Sequence, residues 1–192
     1  MASNPILENI YARRSVRSFE DRPVREEDIN ELIKAGFHAA NGLNLQKLRF
    51  SVVTSRTKLN EYSATGKRTF LEYMAANDMT NPHLESNLRN DGFDIFYGAP
   101  AAIFIYAAPG IMTATEDASL AAGNIMLAAA SMGLGTCWIG FAYHLGSDKV
   151  FLKDNKVPEG HKLLAAIILG YPKNKDQMAT PRERPHILNW VR

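Results

Sequence analysis

Ala101-Ala102-Ile103-Phe104-Ile105-Tyr106-Ala107 is the stretch from which the rest of the chain can be read. Seven apolar residues in a row, too few for a helix and rich in β-forming side chains, describe a strand buried on both faces. Such a strand lies inside a sheet with a layer packed on each side. Three more segments have strand character. Leu48 to Thr54 alternates Leu, Phe and Val with Arg and Ser, while Gly135 to Ile139 and Leu163 to Leu169 are short and apolar. Between them lie helical patterns. Ala114 to Met132 is headed by Thr115-Glu116-Asp117, whose carboxylates suit the positive end of a helix dipole. Beyond that turn it is apolar nearly all round, which predicts a helix running through the core. Asn4-Pro5 supplies a cap and a first-turn proline for Ile6, Leu7, Ile10 and Tyr11 at helical spacing. After Pro23 a second amphipathic helix carries Ile29, Leu32, Ile33, Phe37 and Ala40 on one side, with Asn41-Gly42 as its expected end.

From Arg56 to Tyr97 the pattern is mixed and predicts short helices, broken around Thr65-Gly66 and Thr80-Asn81-Pro82. The tail from Tyr171 contains Pro172, Pro181 and Pro185 before Ile187, Leu188, Trp190 and Val191. It reads as an extended arm in need of a surface. The whole, residues 1–192, reads as a single α+β domain whose strand order local patterns leave open.

Composition narrows the function. Hydrophobic residues make up 46% and charged residues 22%, as in ordinary globular enzymes. A net charge of +2 is too small for a nucleic-acid or membrane-surface protein. The basic excess is local, with five arginines between Arg13 and Arg25. The lone Cys137 allows no internal disulfide and suits a reducing compartment. With no signal-peptide pattern and no spanning apolar run, a cytoplasmic location is expected. Gly133-Leu134-Gly135 follows a helix and lacks the third glycine of a dinucleotide fingerprint. Phosphate-loop and nucleophile-elbow motifs are absent as well. The five histidines are scattered without ligand spacing, so no metal site is expected. Cys137, in an apolar strand, reads as an inert core thiol.

What remains is a set of polar clusters. Arg13-Arg14-Ser15-Val16-Arg17 packs three guanidiniums and a hydroxyl into five residues, a group suited to phosphate oxygens. A basic run at a helix end also suits the helix dipole without any ligand. Asn44-Leu45-Gln46 follows the second helix; both amides could satisfy a helix-to-strand turn, and Gln46 fits that turn as readily as a binding role. Gly133 to Gly140 follows the Ala-rich helix, and Arg182-Glu183-Arg184-Pro185 lies in the tail, where a solvated pair is the alternative.

Taken in series, with Phe96-Tyr97-Gly98-Ala99-Pro100 before the central strand, these segments resemble the nitroreductase family of FMN-dependent NAD(P)H oxidoreductases along nearly the whole chain. The resemblance implies a mixed, largely antiparallel sheet flanked by helices, and a homodimer that exchanges its C-terminal arms. It implies that Arg13, Arg14, Ser15 and Arg17 hold the ribityl phosphate and pyrimidine edge of FMN. Asn44 and Gln46 would contact the flavin, Ile139 and Gly140 would face its ring, and Arg182 and Arg184 would reach the phosphate. NADH or NADPH would donate electrons and a small electron-poor acceptor, nitroaromatic or quinone, would receive them by a ping-pong mechanism. No catalytic protein side chain is implied, since the cofactor carries the chemistry. A flavin-binding or sensing protein with slow turnover is the alternative. Ala40-Asn41 and Lys47-Leu48 stand where many family members have Pro-Ser and Pro-Trp.

Overall fold

The computed structural model describes residues 4–174 and 181–192. Its centre is the stretch quoted first: β2, Ala101–Ala107, with every residue buried. β1 (Leu48–Val53) pairs with it on one side and β4 (Lys162–Gly170) on the other, and β3 (Gly135–Trp138) closes the sheet in the order β1-β2-β4-β3. All three pairings are antiparallel. The expected mixed sheet is therefore corrected for these four strands. Among the described residues, parallel character is confined to an isolated bridge between Ser15 and Thr136.

Side chains alternate across the sheet and create two cores. Ile103 and Ile105 of β2 with Ile167 of β4 face α2 (Glu26–Phe37) and α5 (Ala114–Ser131). Phe104, Tyr106 and Ile168 face the opposite layer, which contains α3 (Arg56–Ala76), α6 (Lys149–Asp154) and the 3-10 segment Gly140–Ser147. A register shift between Ile105 and Tyr106 interrupts the β2–β4 ladder.

Three local expectations are corrected. Thr65-Gly66 is no break but lies inside α3, which runs unbroken from the Ser55 cap to Ala76. Ile95 packs against Gly66, and an added Cβ there would lie 2.7 Å from the Ile95 Cδ1. The expected break at Thr80-Asn81-Pro82 does separate α3 from α4 (Pro82–Arg89), with the Asn81 side chain accepting from the Leu84 N–H. The second helix stops at Phe37 instead of reaching Asn41-Gly42, and Asn41 is extended backbone that leads into a 3-10 turn. Phe37 and Ala40 are accordingly exposed. α5 does not thread the core: Ala118, Ala121, Ala122, Ile125 and Ala129 face the sheet, while Ser119 and Leu120 face out. The apolar stripe of α1 (Pro5–Ala12) also lies on the surface, with Ile6 70% and Tyr11 69% exposed.

Candidate functional site

The Asn4 side chain caps α1 by accepting from the Ile6 and Leu7 amides, and Asn9 donates to the Leu127 carbonyl of α5 at 2.9 Å. Beyond Ala12 the chain becomes extended, with Arg13 at φ −57°, ψ 135°. It then runs beside β3. The Val16 N–H donates to the Thr136 carbonyl at 2.9 Å, the Glu20 N–H to Tyr171 at 2.8 Å, and Lys173 back to Ser18 at 3.1 Å. Burial of Val16 and Phe19 fixes this path. The four candidate side chains of the cluster therefore project from a backbone that the sheet edge holds.

The structure separates them. Burial pushes the Cys137 thiol up from its ordinary pKa, while Arg17, the Ser15 hydroxyl and Arg13 act on it in the opposite sense. Arg13, Ser15 and Arg17 are spaced by two along extended chain, which places them on one side of it. Arg14 is out of step. Its guanidinium folds back to donate to the carbonyls of Tyr11 and Arg13, closing the C-terminal end of α1, and its Nε is buried without a hydrogen-bond partner. That geometry makes Arg14 a helix cap. Cys137 itself lies in β3 and is buried, as the sequence predicts.

Two clefts of about 350 Å³ each open along this segment. Arg13, Arg14 and Val16 line one together with Gly133 to Thr136. The other is lined by Arg17, Phe70, Tyr97, Trp138, Ile139, Gly140 and Phe141. Here the Ile139 side chain is buried and its N–H is tied to the Ala166 carbonyl at 2.8 Å. A Cβ on Gly140 would meet nothing within 4 Å, so its backbone borders open space. The second cleft is thus an aromatic-walled slot with one cation and an unobstructed stretch of main chain. Its volume falls in the range of small-molecule sites. Phe70, Tyr97, Trp138 and Phe141 were not among the expected site residues. Aromatics flanking glycine, as in Tyr97-Gly98 and Trp138-Ile139-Gly140, were the available signal.

Asn44 and Gln46 lie elsewhere. Leu43, Asn44 and Gln46 have φ of 52°, 53° and 54°, a left-handed conformation that costs energy in residues other than glycine. Asp117 of α5 holds the loop by accepting from the Gly42 N–H at 2.9 Å and from the Thr113 hydroxyl at 3.2 Å. The Asn41 side chain accepts from the Gln46 N–H at 3.0 Å, and Gln46 donates to the Asn44 side chain at 3.0 Å. This loop touches the N-terminal end of α5, whereas α1 touches it near Leu127. Ten residues of helix rise put about 15 Å between the two. The loop also enters β1 while the arginines border β3, the opposite edge of the sheet. One chain does not bring the two groups together.

Arg182 and Arg184 are exposed in an extended segment. None of the ion pairs among the described residues involves Arg13, Arg17, Arg182 or Arg184. No group of three or more potential metal ligands occurs among the described residues, and no helix there is long and apolar enough to cross a membrane.

The sequence pattern of the nitroreductase family matches residues 10–171. An FMN-bound nitroreductase structure from Bacteroides fragilis superposes with a TM-score of 0.82 at 27% identity, covering 98% of this chain and 99% of the other. NADPH-flavin oxidoreductase of Vibrio harveyi is 29% identical over 96% of this chain and 72% of its own length. FMN reductase (NADPH) of Bacillus subtilis is 28% identical over 89% and 67% respectively.

Proposed function

The chain belongs to the nitroreductase family, and from that premise we propose that it is an FMN-dependent oxidoreductase using NADH or NADPH to reduce a small electron-poor acceptor of nitroaromatic or quinone type. The observation that carries this reading is the aromatic-walled cleft with Arg17 at its margin and Gly140 backbone open to it. A flat, largely apolar ring with one electron-rich edge fits such a slot. Arg13 and Ser15, further back on the same extended segment, suit a phosphate carrying nearly two negative charges. Arg182 and Arg184 are the candidates for a second basic group on that phosphate. Arg14, committed to its helix, leaves the proposed ligand set.

Bound there, FMN would supply two-electron redox chemistry between nicotinamide and acceptor. The chain's own part is positional and electrostatic. Arg17 offers a cation where negative charge accumulates on reduction, and the aromatic walls keep water from the ring.

Asn44 and Gln46 join this site only if a second copy delivers them, because their own chain holds them at the far sheet edge. A homodimer is accordingly part of the proposal. The exposed apolar stripe of α1, Leu120 of α5 and the tail residues Leu188, Trp190 and Val191 supply surface for it, with the tail as an arm across the partner.

The expected result is a yellow protein that releases FMN, sediments as a dimer, and bleaches rapidly under anaerobic NADH or NADPH. A colourless protein without affinity for FMN would overturn the proposal. Retained FMN without bleaching would favour a flavin-binding protein with incidental turnover. If donor and acceptor occupy the one cleft in turn, double-reciprocal plots at several acceptor concentrations will be parallel. Intersecting lines would exclude that scheme.

A further inference from the structure

Tyr97 stands out in the cleft because its backbone is left-handed, φ 54°, with a bulky side chain. The turn that imposes this is heavily restrained. One oxygen of the Asp94 carboxylate accepts from the Phe96 N–H and the other from the Gly98 N–H, both at 2.9 Å. The Tyr97 N–H donates to the Asp94 carbonyl and the Ala99 N–H to the Phe96 carbonyl, each at 3.0 Å. Arg56, from the first turn of α3, spans the turn by donating to Asp94 Oδ2 and to the Ala99 carbonyl, both at 3.2 Å. Strain held this firmly calls for a use.

The ring of Tyr97 indicates what that use is. Phe93 packs edge-on against it at 5.9 Å, and the Arg17 guanidinium carbon lies 5.7 Å from its centroid. Arg17 takes part in none of the ion pairs among the described residues and is exposed, so an aromatic face is the partner that orients it. A long side chain without such a partner spreads its charge over many rotamers, and an unfixed cation stabilises a nearby anion poorly.

We infer that Tyr97, locked by the Asp94–Arg56 clamp, is a positioning residue that holds Arg17 at the margin of the cleft and thereby raises the reduction potential of the bound cofactor. The inference rests on the FMN assignment proposed above. Tyr97 acts through Arg17, and the clamp acts through Tyr97 without reaching the cleft itself.

The test measures the two-electron midpoint potential and the FMN affinity of native protein, Tyr97→Leu, Tyr97→Phe and Asp94→Ala, with a thermal melt on each. Tyr97→Leu is expected to weaken the preference for reduced over oxidised FMN about tenfold, a midpoint lower by about 30 mV. Tyr97→Phe keeps the ring and is expected to keep the native potential. Asp94→Ala is expected to shift it in the same direction as Tyr97→Leu. In an Arg17→Met background the Tyr97→Leu change should have no further effect, because its route is removed. Equal potentials in native protein and Tyr97→Leu, or an undiminished shift in the Arg17→Met background, would overturn the inference while FMN binding stands. Failure of the native protein to bind FMN would instead overturn the cofactor assignment.

Discussion

The Arg13–Arg17 segment and the Asn41–Gln46 loop are near neighbours in sequence and carry similar polar content, yet they are held in different ways. The first is relaxed extended chain, hydrogen-bonded along β3 and anchored by buried Val16 and Phe19. The second is a strained turn at the foot of β1, with three left-handed residues and Leu43 92% exposed, pinned by the Asp117 carboxylate. The relaxed segment presents side chains to clefts of its own chain. The strained loop presents its residues to solvent. In the proposed homodimer, a second copy would meet this outward-facing strained loop.

The sharpest way to break this contrast is to divide the two groups between chains. Arg17→Ala protein and Asn44→Ala/Gln46→Ala protein are each expected to bind FMN poorly. Refolded together, half of the dimers would be mixed, and each mixed dimer would hold one intact site, restoring about a quarter of native capacity. Equilibrium dialysis checks this. No recovery in verified mixed dimers would show that the loop and the arginines do not share a site.

Within the relaxed segment, neighbouring arginines should behave differently. Arg17→Ala is expected to weaken FMN by roughly 10–150-fold, since a charge-assisted hydrogen bond contributes ~1.5–3 kcal/mol. Arg14→Ala should leave FMN affinity within about twofold and lower stability by about 1 kcal/mol through its lost cap bonds. Fluorescence titration and urea unfolding separate the two, and equal loss of FMN in both variants would return Arg14 to the site.

The strained loop should answer to Asp117 in the same way. Asp117→Ala strips the Gly42 N–H and the Thr113 hydroxyl of their acceptor and is expected to cost about 1–3 kcal/mol. Thermal unfolding tests this, and an unchanged melting temperature would mean that the loop is held by other contacts.

The smallest expected effect belongs to the buried thiol of β3. Burial raises the Cys137 pKa above its ordinary 9.0, so the folded state keeps its proton where the unfolded chain loses it. That contribution to stability is complete below pH 9 and is lost as the pH rises through the folded-state value. Cys137→Ala should remove this part of the alkaline decline, measurable as a flatter stability profile above pH 9. An identical profile would show that the thiol titrates as it does in the unfolded chain.

The central strand, the Ala-rich helix and the Arg13 cluster were legible because their signals are local: an unbroken apolar run, a long helical composition, a dense set of guanidiniums. A local signal misleads at Gly66 for the same reason. A glycine in a mixed pattern reads as a break until Ile95, distant in sequence, is found packed on it. The early end of α2 is similar, since the Asp117 bond that draws Gly42 away comes from another helix. The aromatic walls of the cleft went unrecognised because Phe70, Tyr97 and Trp138 come from three separate segments, and nothing in any one segment distinguishes a wall from a core.

Sequence by itself determined the four strands, most of the helices, the family resemblance and the chemical types available for a cofactor, because backbone propensity and side-chain charge belong to each residue alone. Tertiary structure decided that Arg14 folds back to cap a helix while Arg17 lies over Tyr97 in the aromatic cleft, and that Asn44 stands at the opposite edge from both. Those outcomes depend on which strands become neighbours and on how far apart the ends of α5 lie. Distance in space is set by packing among segments remote in sequence, so no local pattern encodes it.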